Sequence, residues 1–162
     1  MPKDNLPKIE KLVVHVGIGR LSSQANFNDK VLGDVMHELA RITGQKPQPR
    51  PAKKSISGFK SREGQTIGLK VTLHGIRASD FLKRVVSVAL PRVKDFRGLS
   101  VSCVDTAGNL NIGIREHLSF AEISPEESKV NFGMQITVVL KGVRSREAAV
   151  EAYRALGVPL QK

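Results

Sequence analysis

The sequence predicts an α+β domain of two layers. A mostly antiparallel sheet of four to five strands carries helices on one face and leaves the other face open and polar. Three observations predict it. Four short stretches alternate apolar and polar residues, the two-residue period of a strand with one buried side. Three longer stretches repeat apolar residues at helical spacing. The 162 residues, without an internal repeat or low-complexity segment, suit one domain over 1–162 whose core needs no disulfide or metal.

The first strand is Ile9–Val16, with Leu12, Val14 and Val16 on one side and Lys11, Val13 and His15 on the other. Gly17-Ile18-Gly19-Arg20 then turns the chain. A dinucleotide fingerprint would need a third glycine, but Ser22 stands there. Phe27–Thr43 is helical, with Val31, Leu32, Val35, Met36, Leu39 and Ile42 on one stripe and Gly44 as a left-handed cap. Three alternate prolines make Gln45–Pro51 an extended edge segment. Thr66–His74 is the clearest strand, with Ile67, Leu69, Val71 and Leu73 turned inward. A second helix covers Ser79–Leu90, burying Phe81, Leu82, Val85, Val86 and Ala89, and Pro91 ends it. Pro91–Gly98 is a connector bearing Arg92, Lys94 and Arg97. Asn109–Arg115 and Gly133–Lys141 alternate again, the second with Met134, Ile136, Val138 and Leu140 inward. The last helix runs from its cap Ser145 to Leu156, with Ala148, Ala149, Ala152 and Leu156 inward and Gly157 closing it.

With 26 Lys and Arg against 15 Asp and Glu, the chain carries a formal +11 and a pI near 10.2. That balance points to a polyanion. A membrane fits poorly, because no apolar run approaches the roughly 20 residues of a bilayer span. The first residues, MPKDNLPKIEK, show no targeting segment, and the lone Cys103 fits a reducing compartment as a small packed residue.

The charge is concentrated. Between Arg41 and Lys70 stand eight basic residues (Arg41, Lys46, Arg50, Lys53, Lys54, Lys60, Arg62 and Lys70) and one acid, Glu63. Most of this window is an extended basic loop over 50–65, with apolar Ile56 and Phe59 around Ser57-Gly58 at its tip. Structureless loops longer than roughly 12–15 residues are usually functional, so it reads as a contact device. The uncovered side of the strands would present Lys11, His15, Lys70, Thr72, His74, Asn109, Asn111, Arg115, Gln135, Thr137 and Lys141. No carboxylate is among them, whereas an ordinary solvated face mixes signs.

These residues favour a folded RNA. Aromatics are only 4% of the chain, too few to stack single-stranded bases, and no basic helix stands ready for a major groove. His15, His37, His74 and His117 show no metal-ligand spacing, and His37 and His117 read as ordinary residues of a helix flank and a strand end. No serine has a base partner and no carboxylates pair at a pocket, so neither catalysis, cofactor nor metal is expected. A free-standing RNA chaperone stays open, as does a less well supported nucleotide-binding enzyme.

The runs VVHVGIG (13–19), ITGQKP (42–47), AKKSISGFKSREG (52–64), KVTL (70–73), ALPRVKDFRGLS (89–100) and NIGIREHLSFAEI (111–123) closely resemble the bacterial-type family of large-subunit ribosomal protein number five. The resemblance covers nearly the whole chain. It implies a cytoplasmic, ribosome-bound protein of the central protuberance. The strands would dock on 5S rRNA through His15, Gln45, Lys70, Thr72, His74, Asn109, Asn111 and Arg115. It further implies contacts of Arg92, Lys94 and Arg97 with large-subunit rRNA. The loop residues Arg50, Lys53, Lys54, Ser55, Ser57, Gly58, Phe59, Lys60 and Arg62 would reach rRNA and the peptidyl-site tRNA. Neighbouring central-protuberance proteins and a bridge to a small-subunit head protein complete the implied partners. Members use Asn, Gln, Thr and Arg for the main 5S contacts. Gln45 and Thr72 match two of these, while His15 and His74 hold the other two positions and lack arginine's bidentate fork. Members also begin with a helical segment that this sequence does not show ahead of its first strand.

Overall fold

A computed structural model of the chain describes residues 7–19, 21, 30–59 and 61–161. Five strands form one antiparallel sheet in the order β2-β3-β1-β5-β4, where β1 is Ile9–Gly17, β2 Gln48–Pro51, β3 Thr66–Leu73, β4 Leu110–Ile114 and β5 Met134–Leu140. Their ends are tied by backbone bonds from Ile18 N–H to Ile67 O, Lys141 N–H to Lys8 O and His117 N–H to Phe132 O. The helices are α1 (Leu32–Thr43), α2 (Gly75–Arg84), a single turn α3 (Leu90–Arg92) and α4 (Arg146–Ala155).

Alternation decides what each strand buries. Leu12, Val14 and Val16 of β1, Leu110, Ile112 and Ile114 of β4, and Met134, Ile136, Val138 and Leu140 of β5 are all buried, as expected. In β3, Leu69, Val71 and Leu73 are buried, but Ile67 is 37% exposed. It stands one residue inside the end of β3, opposite the point where the chain of β1 leaves its strand at Ile18.

The chain gathers into two compact units. One comprises Met1–Val13, Thr72–Gly113 and Gln135–Lys162. Its interior holds Leu12 and Leu73 from the strands, Ala78, Phe81 and Leu82 from α2, and Ala149, Ala152 and Tyr153 from α4. The other comprises Val14–Val71 and Ile114–Met134, and buries Val35, Leu39 and Ile42 of α1 with Val14, Val16, Leu69, Val71, Phe120 and Phe132.

Helix α1 ends as its sequence dictates: Gly44 adopts φ 69° and its N–H bonds Ala40 O. The expected start at Phe27 lies outside the described residues. The second helix departs from expectation at both ends. It begins earlier, at Gly75, and does not stop at Pro91. Val85–Ala89 widens into a π turn in which Leu90 N–H bonds Val85 O, and the helix passes through Pro91 to Arg92. The wider turn relieves the clash a proline ring makes with the preceding turn.

Ser145 caps α4 by accepting from Ala148 N–H at 3.4 Å. Ala148, expected inward, is exposed; the inward positions are Ala149, Ala152 and the fully buried Tyr153. The Tyr153 hydroxyl is a hub. It lies 2.8 Å from Val138 O and 3.0 Å from Gly108 O, and accepts Leu110 N–H at 3.1 Å. Burial raises its pKa well above the ordinary tyrosine range.

Tyr153→Phe should therefore destabilise the fold by about 1–3 kcal/mol, since it strands buried backbone groups. Urea denaturation should show a lower midpoint at unchanged slope. The raised pKa makes the hydroxyl's contribution complete below about pH 10, where the unfolded tyrosine is protonated. It is lost above that pH, so the advantage of wild type over Tyr153→Phe should shrink there.

Candidate nucleic-acid interface

The extended basic loop is an ordered hairpin. Prolines 49 and 51 confine β2 to the sheet edge, where it pairs antiparallel with β3 (Gln48 with Lys70, Pro49 with Leu69, Arg50 with Gly68). The register shifts between Arg50 and Pro51, and the two chains then continue outward. Buried Ala52 is the root: its N–H bonds Gln65 O at 2.8 Å and its carbonyl accepts Gly64 N–H at 3.0 Å. Further out, Ile56 and Ser61 exchange N–H···O bonds at 3.1 and 3.2 Å. Ser57–Phe59 turns the tip as a 3₁₀ helix. Ser55 Oγ accepts Glu63 N–H at 2.9 Å, so this serine ties the two chains of the hairpin together.

This ladder holds its charges outward. Arg50, Lys53, Lys54, Ser55, Ser57, Gly58, Phe59 and Arg62 are all exposed, and Lys60 lies outside the described residues. Among the described residues, Lys53, Lys54 and Arg62 have no carboxylate partner. At the tip Phe59 is 81% exposed and Ile56 49%. The hairpin can thus offer cations to phosphates together with an apolar ring to a base or sugar face.

Within the same unit, His15 and Arg115 are exposed and Lys70 is half-buried on β3. Gln45 is also half-buried; its backbone N–H reaches the Oγ1 of buried Thr43 at 3.4 Å, just past the α1 cap.

The other unit carries a second polar group of residues. Asn111 on β4 is its centre: its Oδ1 accepts Thr137 Oγ1–H at 2.7 Å and Gln135 Nε2–H at 3.3 Å, both from β5. Gln135 and Thr137, counted only as members of the polar face, thus orient Asn111. The two N–H bonds of Asn111 remain uncommitted among the described residues. Thr72 is half-buried on β3. His74 is exposed after the strand, and its Nδ1–H donates to Glu10 O at 3.3 Å. Arg92, Lys94 and Arg97 are exposed.

Asn109 stands apart from the other polar residues. It lies in the turn before β4, where its N–H and Nδ2 donate to the two oxygens of Asp105 at 2.8 and 2.9 Å. One carboxylate therefore stands beside the set expected to be free of acids. The Asn109 side chain, then the backbone N–H groups of residues 107–109, hold the Asp105 carboxyl below the usual range.

Comparison with known proteins accounts for nearly the whole chain. Residues 4–62 match the family model for ribosomal protein L5, and residues 66–160 match the model for the C-terminus of the same ribosomal family. The large ribosomal subunit protein uL5 of Rubrobacter xylanophilus is 47% identical over 156 residues, 96% of this chain and 84% of that one. The uL5 proteins of Halothermothrix orenii and Oceanobacillus iheyensis are 44% and 45% identical, each over 97% of this chain and 85% of their own.

The Asp105–Asn109 pair generates a pH test. A lowered folded-state pKa stabilises above the unfolded value, about 3.9, and that contribution disappears as pH falls through it. Asn109→Ala removes the largest cause of the shift. Wild type should exceed the variant in thermal stability at pH 6, and the gap should narrow as the pH is lowered from 5 to 3.

Proposed function

The chain belongs to the ribosomal protein L5 family and is a structural constituent of the large ribosomal subunit rather than an enzyme; from that premise we propose that it binds 5S rRNA. The polar residues of its strands (His15, Lys70, Thr72, His74, Asn111 and Arg115), together with Gln45 and Asn109, would make the contacts. The hairpin of 50–65 would extend to rRNA and to the peptidyl-site tRNA, and Arg92, Lys94 and Arg97 to large-subunit rRNA. Neighbouring proteins of the central protuberance and a small-subunit head protein are the proposed protein partners.

One observation carries the proposal. Asn111 is fixed by Thr137 and Gln135 before any partner arrives, with both amide N–H bonds left over among the described residues. Such preorganised donors suit acceptors on RNA, where 2′-hydroxyls, phosphates and exposed base edges are read by polar side chains. They would be wasted on solvent. The strands support a folded RNA rather than a single strand, because they display no Phe, Tyr or Trp ring on which bases could stack.

Filter binding with purified 5S rRNA should show tight binding. With roughly 6–10 phosphate contacts, affinity should fall about 10³–10⁵-fold between 50 and 200 mM salt, a range calibrated on duplex DNA. Asn111→Ala should weaken binding about tenfold at fixed salt, the scale of one or two lost hydrogen bonds. Equal affinity for an unrelated structured RNA would overturn the proposal in favour of a general chaperone. Replacing Lys53, Lys54, Lys60 and Arg62 together with Ala should spare 5S binding and weaken tRNA retention on assembled ribosomes. Loss of 5S binding instead would reassign the hairpin to that RNA.

A further inference from the structure

Among the described residues three glycines lie within strands, and one of them has no reason inside the fold to be glycine. Gly17 closes β1 as its last residue. Gly68 in β3 is crowded, because a methyl group placed on it would stand 3.2 Å from the Val16 carbonyl oxygen. Gly113 sits inside β4, between Ile112 and Ile114, and is exposed. A methyl group there would meet no heavy atom within 4 Å beyond its chain neighbours, among the described residues. Its φ lies outside the left-handed region, so the backbone does not require glycine either.

Glycine inside a strand weakens it, since it packs nothing and loses the most backbone freedom on folding. Where no internal contact compensates, such a glycine often marks the close approach of another molecule. Ile112 and Ile114 are buried, so Gly113 turns its bare Cα to the opposite side, together with Asn111. The two stand roughly 6–7 Å apart along the strand. A patch of uncovered peptide therefore lies beside the amide that Thr137 and Gln135 hold in place.

Resting on the reading of 5S rRNA as the partner, we propose that a ribose of the bound RNA packs directly against the Gly113 peptide, beside the Asn111 amide. The surroundings select a sugar. A base would need a ring to stack on, and no Phe, Tyr or Trp stands on β4 or β5. A phosphate would need a cation, which Asn111, Gln135 and Thr137 do not supply. A protein would need an apolar anchor, and the exposed large apolar residues (Ile56, Phe59, Ile67 and Ile76) all lie off these two strands. A ribose needs what is present, shallow space over a peptide and polar neighbours for its hydroxyls. Any side chain at 113 would fill that space.

The test is a graded series in the full chain, Gly113→Ala, Gly113→Thr and Gly113→Val. Urea midpoints of the free protein should stay level or rise with the β-branched residues, which suit a strand that has room for them. Affinity for purified 5S rRNA should fall stepwise with size in filter binding. The loss should be at least about tenfold for Thr and Val, the scale of overfilling a packed contact. The salt dependence should keep its slope, because no cation is removed. Hydroxyl-radical footprinting with Gly113→Ala, the mildest variant, should lose protection at one short run of riboses and keep the rest. Thr and Val variants that bind as tightly as wild type would overturn the proposal. So would urea midpoints that fall in step with affinity, or a footprint weakened evenly along the RNA. In each of those cases wild type still prefers 5S rRNA to an unrelated structured RNA. Absence of that preference in wild type would instead overturn the 5S reading itself, and this proposal with it.

Discussion

Each strand buries every second residue, and the rest of the molecule follows from that constraint. Leu69, Val71 and Leu73 fill the interior beside β3, which obliges Lys70 and Thr72 to point the other way. The same alternation places Asn111 between Leu110 and Ile112, and Gln135 and Thr137 between Met134, Ile136 and Val138. A slip of one residue would drive Lys70 into the core, so the hydrophobic pattern that stabilises the sheet also fixes which side chains can meet RNA. Polar side chains here cost the fold little, because the positions that display them were never available for packing.

The hairpin follows a different logic. Prolines in β2 would be intolerable in a central strand, yet at the edge they also discourage pairing with a further strand. The ladder beyond them needs few bonds: Ala52 with Gln65 and Gly64 at the root, Ile56 with Ser61 near the tip. These suffice to hold Lys53, Lys54 and Arg62 away from the carboxylates that would neutralise them. An ordered cationic hairpin loses less entropy on binding than a coil of the same composition.

Buried polar groups give the two units their specific internal geometry. In one, the Tyr153 hydroxyl ties a helix to the backbone of β5 and to both Gly108 and Leu110 around the start of β4. In the other, His117 relays Phe132 N–H through Ser128 to Val130 O. Each network is worth more for what it forbids than for its bond energy, because a wrong packing would leave several buried donors and acceptors unpaired.

Much of this fold was legible in the sequence. Alternation over 9–16, 109–115 and 133–141 gave strands with the right residues buried, Gly44 and Ser145 marked helix ends, and the prolines of 47–51 marked an edge. All of these are local signals, set by residues within one or two turns or pleats of one another. What tertiary structure decided involves partners distant along the chain. Pro91 passes inside a helix because a π turn precedes it, and Ala148 is displaced from the interior by Tyr153, whose hydroxyl serves β4 and β5. The basic loop became a hairpin through bonds between residues that no periodicity links. Glu38 and His117, unremarkable on their own segments, came within 2.9 Å of one another only when α1 and the turn after β4 were brought together. Periodicity reports which side of an element is buried; only packing reports what each buried polar atom finds there.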